Sequence, residues 1–250
     1  MNTPLPANTR ILVLTGASRG IGHATVKKFG ASGWRIITIS RQPFSALCPW
    51  PGGEKNHVQL DLGDPVELGR GIEEIRHRLG GEGLHALVNN AAISPKGPNG
   101  KRLGAMDTPF DLWRQVFNVN FFAPVALARG LVEELSKAQG CVVNVTSIAG
   151  SRVHPFAGSA YATSKAALAS LTREMAHDFG PRGIRVNAIA PGEIDTAILS
   201  PGTEKIVEAQ IPMRRLGTPD EVADVVHFLC EKGASYVSGA EIQINGGQHV

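Results

Sequence analysis

Tyr161 and Lys165 are four residues apart, at the two ends of the sequence YATSK. On a helix this spacing places a phenol and an ammonium on the same face, one turn apart. A free phenol has a pKa near ~10, but a cation within roughly 4–6 Å favours the phenolate and lowers that pKa toward neutrality. The pair is therefore a candidate for proton transfer, although the same pattern is common by chance.

Length and composition predict one large α/β domain. The 250 residues include 42% apolar side chains, which is enough for a sizeable core. The net charge of +3 is small and the Lys and Arg residues are dispersed, so we expect no nucleic-acid partner. Neither the three cysteines (Cys48, Cys141 and Cys230) nor the eight histidines show ligand spacing. We therefore expect no structural disulfide and no metal site.

The N-terminal residues 1–9 lack the basic start and apolar stretch of a signal peptide. We expect them to form a flexible tail ahead of a single domain that spans residues 10–250. No apolar run approaches the roughly 20 residues that cross a bilayer. The expected location is the cytoplasm, without membrane association.

Short apolar runs alternate with segments of helical periodicity, which predicts a doubly wound parallel sheet with helices on both faces. The predicted strands are residues 11–15, 35–40, 58–62, 84–89, 141–147, 185–190 and 241–244. The predicted helices are residues 22–29, 65–79, 110–137, 159–179 and 220–230. Two stretches rich in Gly and Pro, 93–109 and 192–217, are predicted to be long loops. Such loops either bind ligands or are mobile surface segments.

The first predicted strand leads directly into TGASRGIG, residues 15–22. Gly16, Gly20 and Gly22 permit a tight turn and a close approach of backbone to a pyrophosphate, with a helix N-terminus aimed at anionic oxygens. The turn also contains Ser18, Arg19 and Ile21. Because it follows the first strand, it predicts a dinucleotide site; the alternative is that the glycines serve packing only.

The end of the second predicted strand indicates which dinucleotide is bound. Folds that prefer NAD place a carboxylate there, which accepts hydrogen bonds from ribose hydroxyls. Here the strand ends with Ser40 and is followed by Arg41. An Arg fork suits a 2′-phosphate, and Arg19 lies where it could flank the same phosphate. We therefore predict NADP(H) in preference to NAD(H), the alternative being two solvated surface arginines.

Polar residues follow the third and fourth predicted strands, at the edge where open α/β sheets bind ligands. Asp61, followed by Leu62, could accept a hydrogen bond from an adenine amino group or could be an ordinary turn aspartate. The sequence NNAA at residues 89–92 places Asn90 and Ala91 at the same edge.

With TGASRGIG, Asp61, NNAA, Asn120, Ser147, YxxxK and PGxxxT (residues 191–196) in this order, the chain resembles the short-chain dehydrogenase/reductase family. NAIAPG at residues 187–192 and the ending SG…NGG are similar to the bacterial 3-oxoacyl-carrier-protein reductase-like branch. The resemblance implies a Rossmann-like fold and an NADP-dependent oxidoreductase that interconverts a ketone, or a 3-oxoacyl thioester, with a secondary alcohol. It also implies a homotetramer, which the apolar stretches 117–131 and 166–171 favour independently.

The resemblance further implies a catalytic quartet: Asn120, Ser147, Tyr161 and Lys165. Tyr161 would give its proton to the carbonyl oxygen as hydride arrives, and Ser147 would hydrogen-bond that oxygen. Lys165 would lower the pKa of Tyr161 and hold the nicotinamide ribose. Asn120 would hold a water behind Lys165 through its backbone, with Asn118 as the alternative. The residues expected to line the nicotinamide pocket are Pro191, Gly192, Ile194 and Thr196.

The chain departs from the family pattern in three places. Ala92 replaces the usual Gly, which is tolerated unless the backbone there needs a positive φ. One extra residue separates Ser147 from Tyr161, and residues 95–104 are predicted to be an insertion near the substrate mouth.

Docking of an acyl carrier protein stays open. Arg182 fits one basic position of the carrier-binding rim, but Ala138 and Gln139 occupy another. The roles of Glu193 and His154 are also open, because each is either a substrate contact or an ordinary loop residue.

Two other functions compete with a reductase. One is a non-catalytic NADPH-binding sensor or structural protein on the same fold. The other is an epimerase or dehydratase, because a fold does not determine its reaction. An intact quartet favours the redox enzyme.

Overall fold

The computed structural model describes residues 9–44, 52–196 and 202–250. Within these residues the strands are β1 (Ile11–Thr15), β2 (Arg35–Ser40), β3 (His57–Gln59), β4 (Ala86–Asn89), β5 (Cys141–Val145), β6 (Arg185–Pro191) and β7 (Glu241–Ile244). The helices are α1 (Gly20–Ala31), α2 (Pro65–Leu79), α3 (Phe110–Phe117), α4 (Ala123–Gly130), α5 (Val132–Lys137), α6 (Ser159–Phe179), α7 (Thr203–Gln210) and α8 (Pro219–Cys230).

The described strands form one parallel sheet in the order β3-β2-β1-β4-β5-β6-β7. The chain runs outward from β1 to β3 and then crosses back to place β4 on the other side of β1. Such a reversal opens a crevice at the carboxyl ends of the two central strands, where ligands bind in this architecture. TGASRGIG leaves from β1 and NNAA from β4, so both predicted motifs lie at this crevice.

Alternate residues of each strand supply two cores, one on each face of the sheet. Val13 belongs to the core that contains Leu127 of α4, whereas the adjacent Leu12 packs with Phe29 of α1 and Val226 of α8. All five of these side chains are fully buried. The predicted doubly wound sheet, with helices on both faces of a single domain, is thus confirmed.

The long helix predicted over residues 110–137 is wrong in one respect, because it is broken twice. A π-helical turn at Asn118–Phe122 separates α3 from α4, and Leu131 leaves helical geometry before α5. Pro124 has no N–H to donate to the carbonyl four residues earlier, that of Asn120, so the α-helical ladder cannot continue there. The N–H of Ala123 instead bonds the carbonyl of Asn118, five residues back.

The strand predicted at 58–62 is also too long, because β3 ends at Gln59 and Asp61 lies in the turn that follows. The predicted loop 192–217 contains a helix, α7, that the sequence analysis missed. Three predictions fall partly outside the described residues: most of the N-terminal tail, Cys48, and residues 197–201 of that loop. None of the described helices combines the length and apolarity that a bilayer crossing requires.

Candidate active site

The glycine turn after β1 leaves no room for side chains. Gly16 has φ +73°, and a Cβ there would lie 2.9 Å from the Cα of Ala91. A Cβ on Gly22 would lie 2.0 Å from the carbonyl oxygen of Gly16, so α1 can approach the turn only because this residue is glycine. The Asn90 amide donates to the carbonyls of Thr15 and Gly16, 3.0 Å each, and so ties the end of β4 to the turn.

The nucleotide end of the crevice contains the two arginines that the sequence singled out. Arg19 and Arg41 are both exposed, and both line the same cavity. Neither forms an ion pair within the described part of the chain, so both guanidinium groups can bind an anion. Ser40 stands where a ribose-binding carboxylate would stand, and its hydroxyl donates to the carbonyl of Gln42.

Asp61 lies in a turn at the edge of the crevice. Its carboxylate accepts from the backbone N–H of Gly63 at 2.8 Å, as in an ordinary turn. Its backbone N–H donates to the Glu67 carboxylate at 2.7 Å. Asp61 also lines the cavity beside Leu62.

One cavity of about 510 Å³ runs from the glycine turn to the YxxxK pair. Most of the residues predicted for catalysis or cofactor binding line it. They are Gly16, Ser18, Arg19, Gly20, Ile21, Arg41, Asp61, Leu62, Asn90, Ala91, Ser147, Tyr161, Lys165, Pro191, Gly192, Ile194 and Thr196. Gly22 and Asn120 lie behind the cavity wall, where Gly22 permits helix packing.

Ser147, Tyr161 and Lys165 come together where β5 and α6 meet. Ser147 leaves the sheet after β5, and its hydroxyl caps the following short turn by accepting from the Ala149 N–H at 3.2 Å. The same hydroxyl lies near the Tyr161 phenol and favours its ionised form. Lys165 is buried one helical turn further on, with Nζ 5.7 Å from the centroid of the Tyr161 ring.

The expected lowering of the Tyr161 pKa by Lys165 is wrong for this arrangement. Burial raises the pKa of Tyr161, the Ser147 hydroxyl opposes that rise, and the negative charge of Glu193 adds to it. Burial lowers the pKa of Lys165 to about 7. Its Nζ donates to the carbonyl of Val145 at 2.6 Å, so the ammonium is directed toward β5. At neutral pH the phenol therefore keeps its proton.

Asn120, rather than Asn118, contacts the catalytic helix. The Asn120 side chain is fully buried in the π-helical turn. It donates to the carbonyl of Ile93 and to the Ser164 hydroxyl, 3.0 Å each, and accepts from the Ile93 N–H at 2.9 Å. Asn118 instead donates to the carbonyl of Gly63 at 3.2 Å. Asn120 thus fixes the helix position next to Lys165.

The segment that follows β6, residues 192–196, forms one wall of the cavity. A Cβ on Gly192 would lie 2.6 Å from the Cβ of Asn245, so the C-terminal NGG sequence packs directly against it. At the other end of the segment, the Thr196 methyl is 3.2 Å from where a Gly20 Cβ would be. Ala92 does not have a positive φ, which explains why alanine replaces the usual glycine there.

One residue of the site was not predicted from the sequence, and two others had no definite role in that prediction. Lys96, in the predicted insertion, lines the cavity together with His154 and Glu193. His154 Nε2 is 2.5 Å from Glu193 Oε1, and the Lys96 ammonium donates to the carbonyl of Phe156. The solvent-facing interpretation of Glu193 is wrong, because its side chain is only 10% exposed. No local pattern could reveal these contacts, which join residues 39 or more positions apart.

Lys165→Met should make thermal stability less dependent on pH. The pKa of Lys165 is about 7 in the folded protein against an ordinary value of 10.5, so between these values only the unfolded chain binds the extra proton. Stability therefore rises with pH across this window, and below it the folded protein bears the full cost of a buried ammonium. Between about pH 6.5 and 9.5, the free energy of unfolding of the wild type should rise relative to that of Lys165→Met by on the order of 2–4 kcal/mol. This corresponds to roughly 5–15 °C in Tm.

Scanning fluorimetry of both proteins at the two pH values measures this difference. Lys205→Met, at an exposed position of α7, is the control and should follow the wild type. A wild-type Tm that keeps a constant offset from Lys165→Met at both pH values would contradict the prediction.

The geometry of the glycine turn is compatible with the pyrophosphate of a dinucleotide. Gly16 and Gly22 let the turn pack tightly against β4 and α1, and the N-terminus of α1, at Gly20 and Ile21, opens onto the cavity without acidic side chains in its first turn. A helix N-terminus of this kind suits a pyrophosphate. A family model described as enoyl-(acyl carrier protein) reductase matches residues 16–249, from this turn to the C-terminus. The chain belongs to the short-chain dehydrogenase/reductase family.

Relatives of this oxidoreductase family resemble the chain over nearly its whole length. Protein FixR of Bradyrhizobium diazoefficiens is 63% identical over 242 residues, which cover 96% of this chain and 87% of that protein. The 3-oxoacyl-[acyl-carrier-protein] reductase FabG of Pseudomonas aeruginosa is 34% identical and covers 96% of this chain and 98% of its own. The predicted 3-oxoacyl-carrier-protein reductase-like branch is thereby confirmed.

A solved structure of a short-chain dehydrogenase/reductase family oxidoreductase from Brucella ovis, in complex with a partially ordered NAD, is 60% identical. It superimposes with a TM-score of 0.83 and covers 95% of this chain and 100% of its own.

Proposed function

We propose that this protein is an NADPH-dependent carbonyl reductase that interconverts a small ketone with a secondary alcohol. The observation that carries the proposal is one cavity that begins at the glycine turn after β1 and ends at Ser147, Tyr161 and Lys165. In this family the bound nicotinamide supplies or accepts the hydride. The residues of the chain then need to hold the substrate oxygen and move one proton.

Tyr161 supports the reductive direction. Because burial raises its pKa, the phenol holds its proton at neutral pH and can donate it to a carbonyl oxygen as that oxygen becomes negative. The Ser147 hydroxyl lies near the phenol and can direct its single O–H to the same oxygen. Lys165, with a pKa of about 7, is poised to gain or lose a proton behind the phenol and to bind ribose hydroxyls. Asn120 keeps this helix in place.

The choice of NADP(H) rests on the nucleotide end of the cavity. Arg19 and Arg41 present two permanent positive charges, and Ser40 replaces the carboxylate that would repel a 2′-phosphate. The Brucella ovis relative is described with NAD, so this preference is a proposal about the arginines of this chain.

A small keto compound suits the site better than a substrate delivered by an acyl carrier protein. Arg182, at one carrier-binding position, pairs with Glu133 at 2.6 Å, and the other such position holds Ala138 and Gln139. The relatives named FabG nevertheless make a 3-oxoacyl thioester a compound to test.

NADPH fluorescence during a panel of ketones, with one 3-oxoacyl thioester, tests the proposed function. We expect substrate-dependent oxidation of NADPH and formation of the matching alcohol. Binding of NADPH without turnover would indicate the sensor, and product without net oxidation would indicate an epimerase or dehydratase. Either result would refute the reductase.

We expect a homotetramer, and aromatic side chains at the surface support it. A row of rings follows α3 into the π-helical turn, from Trp113 through Phe117 and Phe121 to Phe122, with centroids 5.3–6.3 Å apart. Phe122 is 54% exposed. A self-complementary apolar surface favours a closed symmetric assembly.

Light scattering should give the mass of four 26.5 kDa chains at micromolar concentration. Phe122→Glu should shift the protein toward smaller species. Val66→Glu, at an exposed position of α2, should leave the assembly intact. A stable wild-type monomer would refute the assembly.

A further inference from the structure

Three charged or titratable side chains lie at the substrate end of the cavity and are not used in the proton transfer described above. Lys96, His154 and Glu193 line the same space as Tyr161. The side chains of His154 and Glu193 are each 10% exposed. Charged groups this well enclosed cost free energy unless they are paired or bind a partner.

The hydrogen bonds of His154 determine where its proton is. The backbone N–H of Phe156 donates to Nδ1 at 3.2 Å, so this nitrogen is an acceptor. Nε2, 2.5 Å from Glu193 Oε1, therefore carries the hydrogen and donates it. A neutral imidazole satisfies both contacts, with the Glu193 carboxylate as the acceptor at Nε2.

The backbone at Glu193 is fixed by hydrogen bonds to Gly217. Its carbonyl accepts from the Gly217 N–H at 3.0 Å, and Asp195 N–H donates back to the Gly217 carbonyl at 2.8 Å. The negative charge of Glu193 contributes to the raised pKa of Tyr161. An ionised carboxylate offers about four acceptor positions, and His154 uses one of them.

Lys96 supplies the complementary donor. Its ammonium bonds the carbonyl of Phe156, which leaves further N–H groups for a ligand. Burial lowers the pKa of Lys96, and the charge of Glu193 opposes that effect, so the two groups interact electrostatically. A cationic ligand at this end would be repelled by Lys96, and an anionic one by Glu193. A neutral group that both donates and accepts hydrogen bonds matches the pair.

We propose that the substrate is an α-hydroxyketone, whose hydroxyl lies beside the reacting carbonyl, donates to Glu193 and accepts from Lys96. The reaction is then α-hydroxyketone plus NADPH plus one proton to vicinal diol plus NADP⁺. The carbonyl carbon gains the hydride, the carbonyl oxygen gains the proton from Tyr161, and the hydroxyl is unchanged. This assignment rests on the proposed reductase function and specifies its substrate class.

Four ketones that differ only at C1 test the assignment: butan-2-one, 1-hydroxybutan-2-one, 1-aminobutan-2-one and 3-oxopentanoate. In the wild type, kcat/KM for the hydroxyketone should exceed that for butan-2-one by about 10- to 150-fold, as expected for a hydrogen bond to a charged group. The aminoketone and the oxoacid should both be poorer substrates than the hydroxyketone.

Glu193→Gln should reduce the ratio of hydroxyketone to butan-2-one efficiency by at least about tenfold, because the amide is a weaker acceptor. Using a ratio cancels the effect of Glu193 on Tyr161, which both substrates share. Lys96→Met should lower the ratio as well and is a second test if Glu193→Gln misfolds. Glu208→Gln, at an exposed position of α7, is the matched control and should keep the wild-type ratio.

A wild-type ratio near one, or a ratio that neither variant changes, would overturn the assignment while leaving the reductase intact. Preference for the aminoketone or the oxoacid would also overturn it, because one charge would then dominate the site. Failure of all four ketones and of the wider panel, with NADPH still bound, would instead refute the proposed reductase and with it this substrate.

Discussion

Tyr161→Phe should remove nearly all turnover while leaving NADPH affinity almost unchanged. The phenol acts on the substrate oxygen, and general acid catalysis contributes roughly 10²- to 10⁴-fold to a rate. The ring of Phe fills the same space, so the cavity wall is preserved. Lys165→Ala should impair both turnover and NADPH binding, because in the proposed mechanism Lys165 also binds the ribose hydroxyls.

Steady-state kcat and NADPH titration by fluorescence measure the two effects separately. The chain has two tyrosines, and the other one, Tyr236, is fully exposed, so Tyr236→Phe is a matched control. A Tyr161→Phe variant that kept most of its kcat would exclude the phenol as the proton donor.

Arg41→Asp should reverse or strongly reduce the preference for NADPH over NADH. Charge-assisted hydrogen bonds to phosphate contribute roughly 1.5–3 kcal/mol each, so loss of one should cost about 10- to 150-fold in discrimination. Arg41→Ala should do less, because aspartate also repels the 2′-phosphate and offers an acceptor to the free ribose hydroxyl of NADH. Arg19 should retain part of the preference.

The measurement is kcat/KM for both cofactors in the wild type and in each variant. Arg70→Asp makes the same charge change at an exposed position of α2 and should leave the ratio unchanged. Equal wild-type efficiencies with the two cofactors, or an unmoved ratio in Arg41→Asp, would show that Arg41 does not bind the 2′-phosphate.

Local patterns were sufficient for the framework of the fold. The helices predicted at 65–79 and 159–179 match α2 and α6 to the residue, and the glycine turn lies at the switch point of the sheet. The π-helical turn was missed, although Pro124 marks it in the sequence, because the apolar periodicity continues across it. Helix α7 was missed because it is short and is flanked by Gly and Pro.

The chemistry of the site was less predictable than its location. The direction of the pKa shift of Tyr161 depends on how deeply the phenol and Lys165 are buried, and spacing along a helix does not contain that information. The cluster of Lys96, His154 and Glu193 joins three separate loops. Each of these residues has an ordinary sequence context, and only the folded backbone brings them together.

The segment from Pro191 to Thr196 lines both ends of the cavity. At one end the Thr196 methyl lies beside the glycine turn at Gly20, and at the other Glu193 lines the cavity together with Tyr161. The segment is six residues long, and its backbone is hydrogen-bonded to Gly217 at Glu193 and Asp195. Cofactor and substrate affinities are consequently expected to be thermodynamically coupled, and reciprocally so. Saturation with one should change the dissociation constant of the other, and the same factor should apply in both directions.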